Sequence, residues 1–134
     1  MSDAVTAGKA PETLVATGRD RRSALGSLIA GVNRWLEGTD RNLTGRSIRF
    51  DAERSTFAET AQALLEAALD LAGEEASAGI VTLDDLIQTD DGFVGWGSLL
   101  LGDAIRMRPV PVLHAIDVEQ EPGGWRLTAV LRVR

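Results

Sequence analysis

Hydrophobic positions change period along this chain of 134 residues. Leu25, Leu28, Ile29, Val32, Trp35 and Leu36 recur at three- and four-residue spacing, which places all six on one face of a helix. Asp20, in the turn Gly18-Arg19-Asp20, stands where a carboxylate can cap that helix, and Gly38 is its expected stop. A second stripe of Phe57, Ala61, Leu64, Leu65, Ala68, Leu71 and Ala72 follows Thr56-Phe57-Ala58-Glu59, a capping-box pattern of hydroxyl and carboxylate three residues apart. Glu59, Gln62, Glu66 and Asp70 fill its polar side, and Gly73 ends it. Each stripe has the width of a face packed on a sheet.

Short strands over 13–17 and 47–51 precede these helices, the second with Ile48 and Phe50 on one side. Beyond Gly73 the period falls to two. Segments 80–90 and 93–101 flank Asp91-Gly92, and 110–122 and 125–134 flank Gly123-Gly124. Both dipeptides are hairpin signals, since a two-residue loop favours positive φ at its centre. Asp84-Asp85 interrupts the first hairpin and predicts a bulge, and 103–109 reads as a loop.

With Gly123 and Gly124 as the loop, Glu121 faces Arg126 and Ile116 faces Leu131. Val112, His114, Ile116 and Val118 then share a core-facing row with Leu127, Ala129, Leu131 and Val133. The outer face carries Asp117, Glu119 and Glu121 against Arg126, Arg132 and Arg134, with Asp117 diagonal to Arg132. The order βαβα followed by four strands predicts an α+β fold, a two-layer sandwich with two helices packed on one face of a mixed sheet. One domain over 13–134 after a loose tail over 1–12 is the expected organisation.

The residue content narrows the classes. Apolar residues make up 44% and charged residues 25%, and a chain of this length can bury about two thirds of its extended surface, so a core needs no staple. Cysteine is absent, which excludes thiol catalysis, thiolate metal sites and disulfides. No apolar run approaches the ~20 residues of a membrane span, and the first residues, Met1-Ser2-Asp3-Ala4-Val5, carry no basic and apolar leader, so a cytoplasmic protein with no membrane partner is expected. A net charge of -6 argues against a direct grip on nucleic acid through its phosphates. The basic residues are thirteen Arg and one Lys, Lys9. Arg19, Arg21 and Arg22 cluster where a helix should begin, as a phosphate-facing patch or, more simply, a solvated turn.

Candidate chemistry is sparse. His114 is the only histidine, so no multi-histidine metal site can form, and its place in the core-facing row predicts a hydrogen-bonded, partly buried ring rather than a general acid or base. No Gly-x-Ser-x-Gly elbow supports a serine nucleophile. Gly95-Trp96-Gly97 lies in a strand without a following Lys-Ser/Thr, so it reads as a place where another backbone or Trp35 comes close, not as a phosphate loop. The Asp84-Asp85 and Asp90-Asp91 pairs and the Asp117/Glu119/Glu121 row offer oxygen ligands but lack calcium-loop spacing.

The segment Val110-Pro111-Val112-Leu113-His114-Ala115-Ile116-Asp117-Val118, followed by Gly123-Gly124-Trp125 and a closing strand, resembles the archease family. His114, Asp117 and Trp125 are the matches of possible role, and Gly18 and the helix from Phe57 to Leu71 look like the family's first turn and second helix. The resemblance covers about 13–134. It implies a protein cofactor, chaperone-like, of the GTP-dependent RNA ligase that seals split tRNA halves in tRNA splicing, with a carboxylate-held metal ion near the two chain ends. The matching ligand positions fall on Gly8-Lys9-Ala10-Pro11, Arg132 and Ser98. Pro11 and Arg132 supply no carboxylate, so a degenerate metal site, no cofactor and no catalysis of its own are expected. The alternatives are a diverged domain that binds a small ligand or another protein with no link to RNA ligation, and an enzyme built on His114. The sequence gives no oligomeric state.

Overall fold

The computed structural model describes residues 11–133. Its elements are β1 (Glu12–Gly18), α1 (Arg21–Gly31), β2 (Leu43–Arg54), α2 (Phe57–Glu74), β3 (Ser77–Thr89), β4 (Gly92–Ile105), β5 (Val112–Glu121) and β6 (Gly124–Arg132). The α+β class and the element order are those the sequence predicts. The strands divide into two three-stranded sheets, β1-β6-β5 and β2-β4-β3, with every ladder antiparallel, where the pattern had suggested one mixed sheet. Alternation fixes which side chains point inward but not which strands become neighbours. Most of the tail expected over 1–12 lies outside the described residues, while Glu12 already pairs with Leu131 in β1.

The two sheets repeat one plan. A strand, a helix and a hairpin are joined so that the hairpin's second strand lies in the middle: β1, α1 and β5-β6 in one unit, β2, α2 and β3-β4 in the other. The second unit is inserted between α1 and β5 of the first. The resemblance extends to side chains. A Cβ on Gly124, which opens β6, would collide with the carbonyl oxygen of Gly18 at the end of β1, and a Cβ on Gly92, which opens β4, would collide with that of Arg54 at the end of β2. Both positions need glycine because the chain runs back against the neighbouring strand's last carbonyl.

The helices join the units. α1 packs on β1, β6 and β3, and α2 on β2, β4 and β5, so each touches both sheets. Leu25, Leu28, Ile29, Val32, Trp35 and Leu36 are all buried, as their spacing predicts. On α2 the buried row is Phe57, Thr60, Ala61, Leu64, Leu65, Ala68, Leu69 and Ala72, so Leu69 takes the place expected for Leu71, which is half-buried. At the caps, Asp20 Oδ1 accepts from the Ser23 amide at 2.7 Å and Thr56 Oγ1 from the Glu59 amide at 3.1 Å. The Thr56 hydroxyl in turn donates to Glu59 Oε1 at 2.9 Å.

α1 ends at Gly31, earlier than the expected stop at Gly38, and continues as a 3₁₀ turn over Val32–Trp35. The Asn33 side chain accounts for the tightening, because it exchanges two hydrogen bonds with the Val81 backbone, at 3.1 and 2.7 Å. Leu36 and Gly38 extend this seam through backbone bonds to Gly79 at 2.9 and 3.1 Å. The chain after α1 thus covers the edge of β3, which would otherwise expose unpaired peptide groups.

The last hairpin corrects the expected register. Glu121 pairs with Gly124, so the loop is Pro122-Gly123, with φ +85° at Gly123. Proline followed by a positive-φ glycine is a type II turn signature, and it displaces Gly123-Gly124 as the loop. Ile116 consequently faces Ala129, not Leu131, and Glu119, not Glu121, faces Arg126. In the first hairpin Thr89 pairs with Gly92, which makes Asp90-Asp91 the loop. The expected bulge is present there, since the register shifts between Leu83 and Asp85 and leaves Asp84 without a ladder partner.

Candidate functional site

The first residues of α1 and α2 meet the second residues of β4 and β6. Arg21 and Phe57 each follow their helix cap, and Phe93 and Trp125 each follow the glycine that opens a central strand. These two pairs of equivalent positions converge on one another. Phe57 lies 5.9 Å from Phe93 and 5.6 Å from Trp125, centroid to centroid, the latter edge-to-face at 75°. The Arg21 guanidinium sits over all three rings, 4.6 Å from the Trp125 centroid, 5.1 Å from Phe93 and 5.9 Å from Phe57. Such stacking holds a guanidinium against the negative faces of the rings. Arg21 Nε is buried and has no hydrogen-bond partner, so the rings hold it without a conventional acceptor.

Beside this quartet opens a hollow of about 270 Å³. Arg19, Arg21 and Arg22 line one part of it, and Leu86, Phe93 and Trp125 another. Arg22 is committed to β3, with Nε 3.2 Å from Asp85 Oδ1 and Nη2 donating to the Asp84 carbonyl at 2.9 Å. The Asp20 carboxyl is held below its ordinary value, chiefly by the Ser23 amide and side chain and then by the charges of Arg19 and Arg22. An adjoining hollow of about 360 Å³, beyond the Pro122-Gly123 turn, shares Arg19 and Trp125 with the first. A larger cavity of about 440 Å³ lies at the far end of α2. Its one arginine, Arg106, closes that helix by donating from Nη1 to the carbonyls of Ala72 and Glu75, at 3.0 and 2.6 Å.

The residues singled out by the resemblance are not brought together. His114 is exposed, not core-facing. The β5 register shifts between Leu113, opposite Leu131, and Ala115, opposite Val130, so His114 is the extra residue of a bulge and Leu113 fills the inward place. Asp117 is exposed opposite Thr128. It shares the outer face with Arg132, as expected, but Arg132 lies opposite Val112 and the two are not diagonal neighbours. The ion pairs of that face are instead Arg126 with Glu119 at 3.1 Å and with Glu121 at 3.4 Å, and they raise the Arg126 pKa, the Glu119 hydrogen bond most of all. Arg134 lies outside the described residues. Trp125 sits opposite Gln120, six residues along β5 from His114, or about 20 Å of strand.

A carboxylate-held metal ion does not fit the residues present. Glu12 pairs with Leu131, and one further step of that register sets Pro11 across from Arg132, so two of the family's ligand positions are neighbours here but offer a ring and a cation. Ser98 lies in the other sheet and donates to Asp84 Oδ2 at 2.7 Å. Gly8, Lys9 and Ala10 lie outside the described residues. Among the described residues no three histidine, aspartate or glutamate side chains gather within reach of one ion. Gly95 and Gly97 do serve close approach, but to Leu64 and to Phe50 and the Thr82 carbonyl, not to Trp35. No helix of the described residues is long and apolar enough to cross a membrane.

The sequence offers Arg19, Arg21 and Arg22 as a phosphate-facing patch or, more simply, a solvated turn. The inward course of Arg21 was missed, and the available signal was the repeated pairing of a hairpin glycine with an aromatic, Gly92-Phe93 and Gly124-Trp125.

No family model matches this chain, and no curated protein matches it. Among solved structures, it is similar to the solution structure of protein 1598 of Methanobacterium thermoautotrophicum, a structural-genomics target, with a TM-score of 0.71 and 14% sequence identity. The likeness covers 92% of this chain and 93% of that one. It is a likeness of fold.

Proposed function

We propose that this chain is an archease-like protein cofactor, a chaperone-type partner that docks on a GTP-dependent, tRNA-splicing RNA ligase and performs no catalysis of its own. What supports the reading is the coincidence of two independent likenesses over nearly the whole chain. The sequence resemblance runs through His114, Asp117 and Gly123-Gly124-Trp125, and the fold likeness covers 92% of the residues. The absence of a carboxylate set at Pro11, Arg132 and Ser98 divides the family's role in two. Docking needs only a surface, which a shared fold can supply, whereas a metal-assisted step needs oxygen ligands, which these positions do not provide.

The test is a titration of the purified RNA ligase encoded by the same genome with this protein, followed by sedimentation velocity. A complex at micromolar concentration is the expected result. No complex at that concentration removes the ligase as partner and leaves the diverged interaction or ligand-binding domain.

A further inference from the structure

We propose that the hollow beside Arg21 is a binding site for a small organic phosphate, with the phosphate on Arg19 and Arg21 and its apolar or planar part against Leu86, Phe93 and Trp125. The charges decide the ligand's sign. Of the three guanidinium groups lining the hollow, Arg22 is neutralised by Asp85. Neither Arg19 nor Arg21 makes an ion pair or side-chain hydrogen bond among the described residues, and the Arg21 guanidinium lies over three aromatic rings. The Asp20 carboxylate also lines the hollow, where it accepts from the Ser23 amide and feels the charges of Arg19 and Arg22. Three guanidinium groups against the carboxylates of Asp20 and Asp85 leave the hollow net positive in a protein whose net charge is -6. Guanidinium groups suit a phosphate because several N–H donors can meet its oxygens at once.

The walls decide the ligand's body. At about 270 Å³ the hollow is near the lower end of ordinary ligand sites, which run from about 300 Å³ upward, so it suits a compact molecule. A bare phosphate would leave the half-buried Leu86 and Trp125 uncovered, whereas an ester with a small ring would cover them. The lining is mostly charged and polar with one apolar side, and convergent polar groups beside an apolar surface fix the orientation of a small ligand. The Pro122-Gly123 turn and the adjoining hollow continue past Arg19 and Trp125, which gives room for a substituent on the ring.

The site lies at the Gly18 end of β1, opposite the Glu12 end where the resemblance places the metal ion. Phosphate binding here stands or falls independently of any ligase.

The experiment follows the indole N–H of Trp125 and the Nε–H of Arg21 by heteronuclear NMR, with the indole assigned through Trp125→Phe. The probes are phenyl phosphate, inorganic phosphate and phenol. Phenyl phosphate is expected to shift both signals and to bind more tightly than either of the others, with binding weakened about tenfold or more in Arg19→Gln and in Arg21→Met. Thermal melts of both variants confirm that they fold. Three results overturn the site: no shift with phenyl phosphate at millimolar concentration, inorganic phosphate binding as well as the ester, or phenyl phosphate binding undiminished in both folded variants.

Discussion

The two strand-helix-hairpin units share a plan and differ at the positions where they meet. In the inserted unit the residue after the helix cap is Phe57 and the residue after the hairpin glycine is Phe93, both apolar and both buried. In the outer unit the same positions hold Arg21 and Trp125, each with a polar tip. Four apolar residues would have closed this junction as ordinary core. Placing one guanidinium among three rings leaves a charge at the seam and a hollow beside it. The caps differ in the same sense: Asp20 carries a titratable charge, and Thr56 does not. The scaffold is thus duplicated, while the chemistry is concentrated in one unit's substitutions.

The comparison can be broken most forcefully at the glycines. Gly92→Ala and Gly124→Ala should each destabilise the protein by about 3 kcal/mol, because a methyl group has to displace a backbone carbonyl that belongs to a neighbouring strand. Urea unfolding measures both, and a neutral result at either would remove the equivalence of the two units.

Arg21→Met should change stability by no more than about 1 kcal/mol, since the lost cation-π attraction is offset by removal of a buried, unpartnered Nε. A loss well beyond that, seen in the same unfolding curves, would mean that the charge holds the junction together.

The caps sharpen the contrast through pH. Thr56→Ala should cost about 1 kcal/mol at any pH, since a hydroxyl has no proton to gain in this range. Asp20→Ala should destabilise only where the carboxylate is ionised. The Asp20 pKa is lowered from 3.8 in the folded state, so its contribution is complete above that value and disappears as pH falls through the folded pKa. The Ser23 amide shift should therefore titrate with a midpoint below 3.8. The smallest effect belongs to the surface: Arg22→Gln should cost under about 1 kcal/mol, because both partners of its Asp85 pair are largely exposed. Added salt should reduce even that.

The helices were legible because a three- and four-residue apolar period with a cap on its N-terminal side has few other solutions. Leu25 through Leu36 and, Leu71 apart, Phe57 through Ala72 are buried as that rule places them. The strands were legible as strands but not as sheets. Their pairing depends on contacts distant in sequence, and both hairpin loops fell one residue away from the glycine-based reading because Pro122 and Asp90 took the first turn position. His114 was misplaced for a related reason. A single bulge reverses the faces of every residue beyond it, and nothing in the alternation Val112, His114, Ile116, Val118 announces one. The quartet was least legible, since its members are separated by up to 104 positions along the chain, from Arg21 to Trp125.

Docking without metal chemistry is the central claim, and a guanylylation time course tests it most directly. The RNA ligase encoded by the same genome is incubated with GTP and a divalent cation, with and without this protein at concentrations that form the complex. The account predicts the same rate of guanylylation in both, because Pro11 and Arg132 supply no ligand for an assisting ion. Acceleration by the unaltered protein would contradict it.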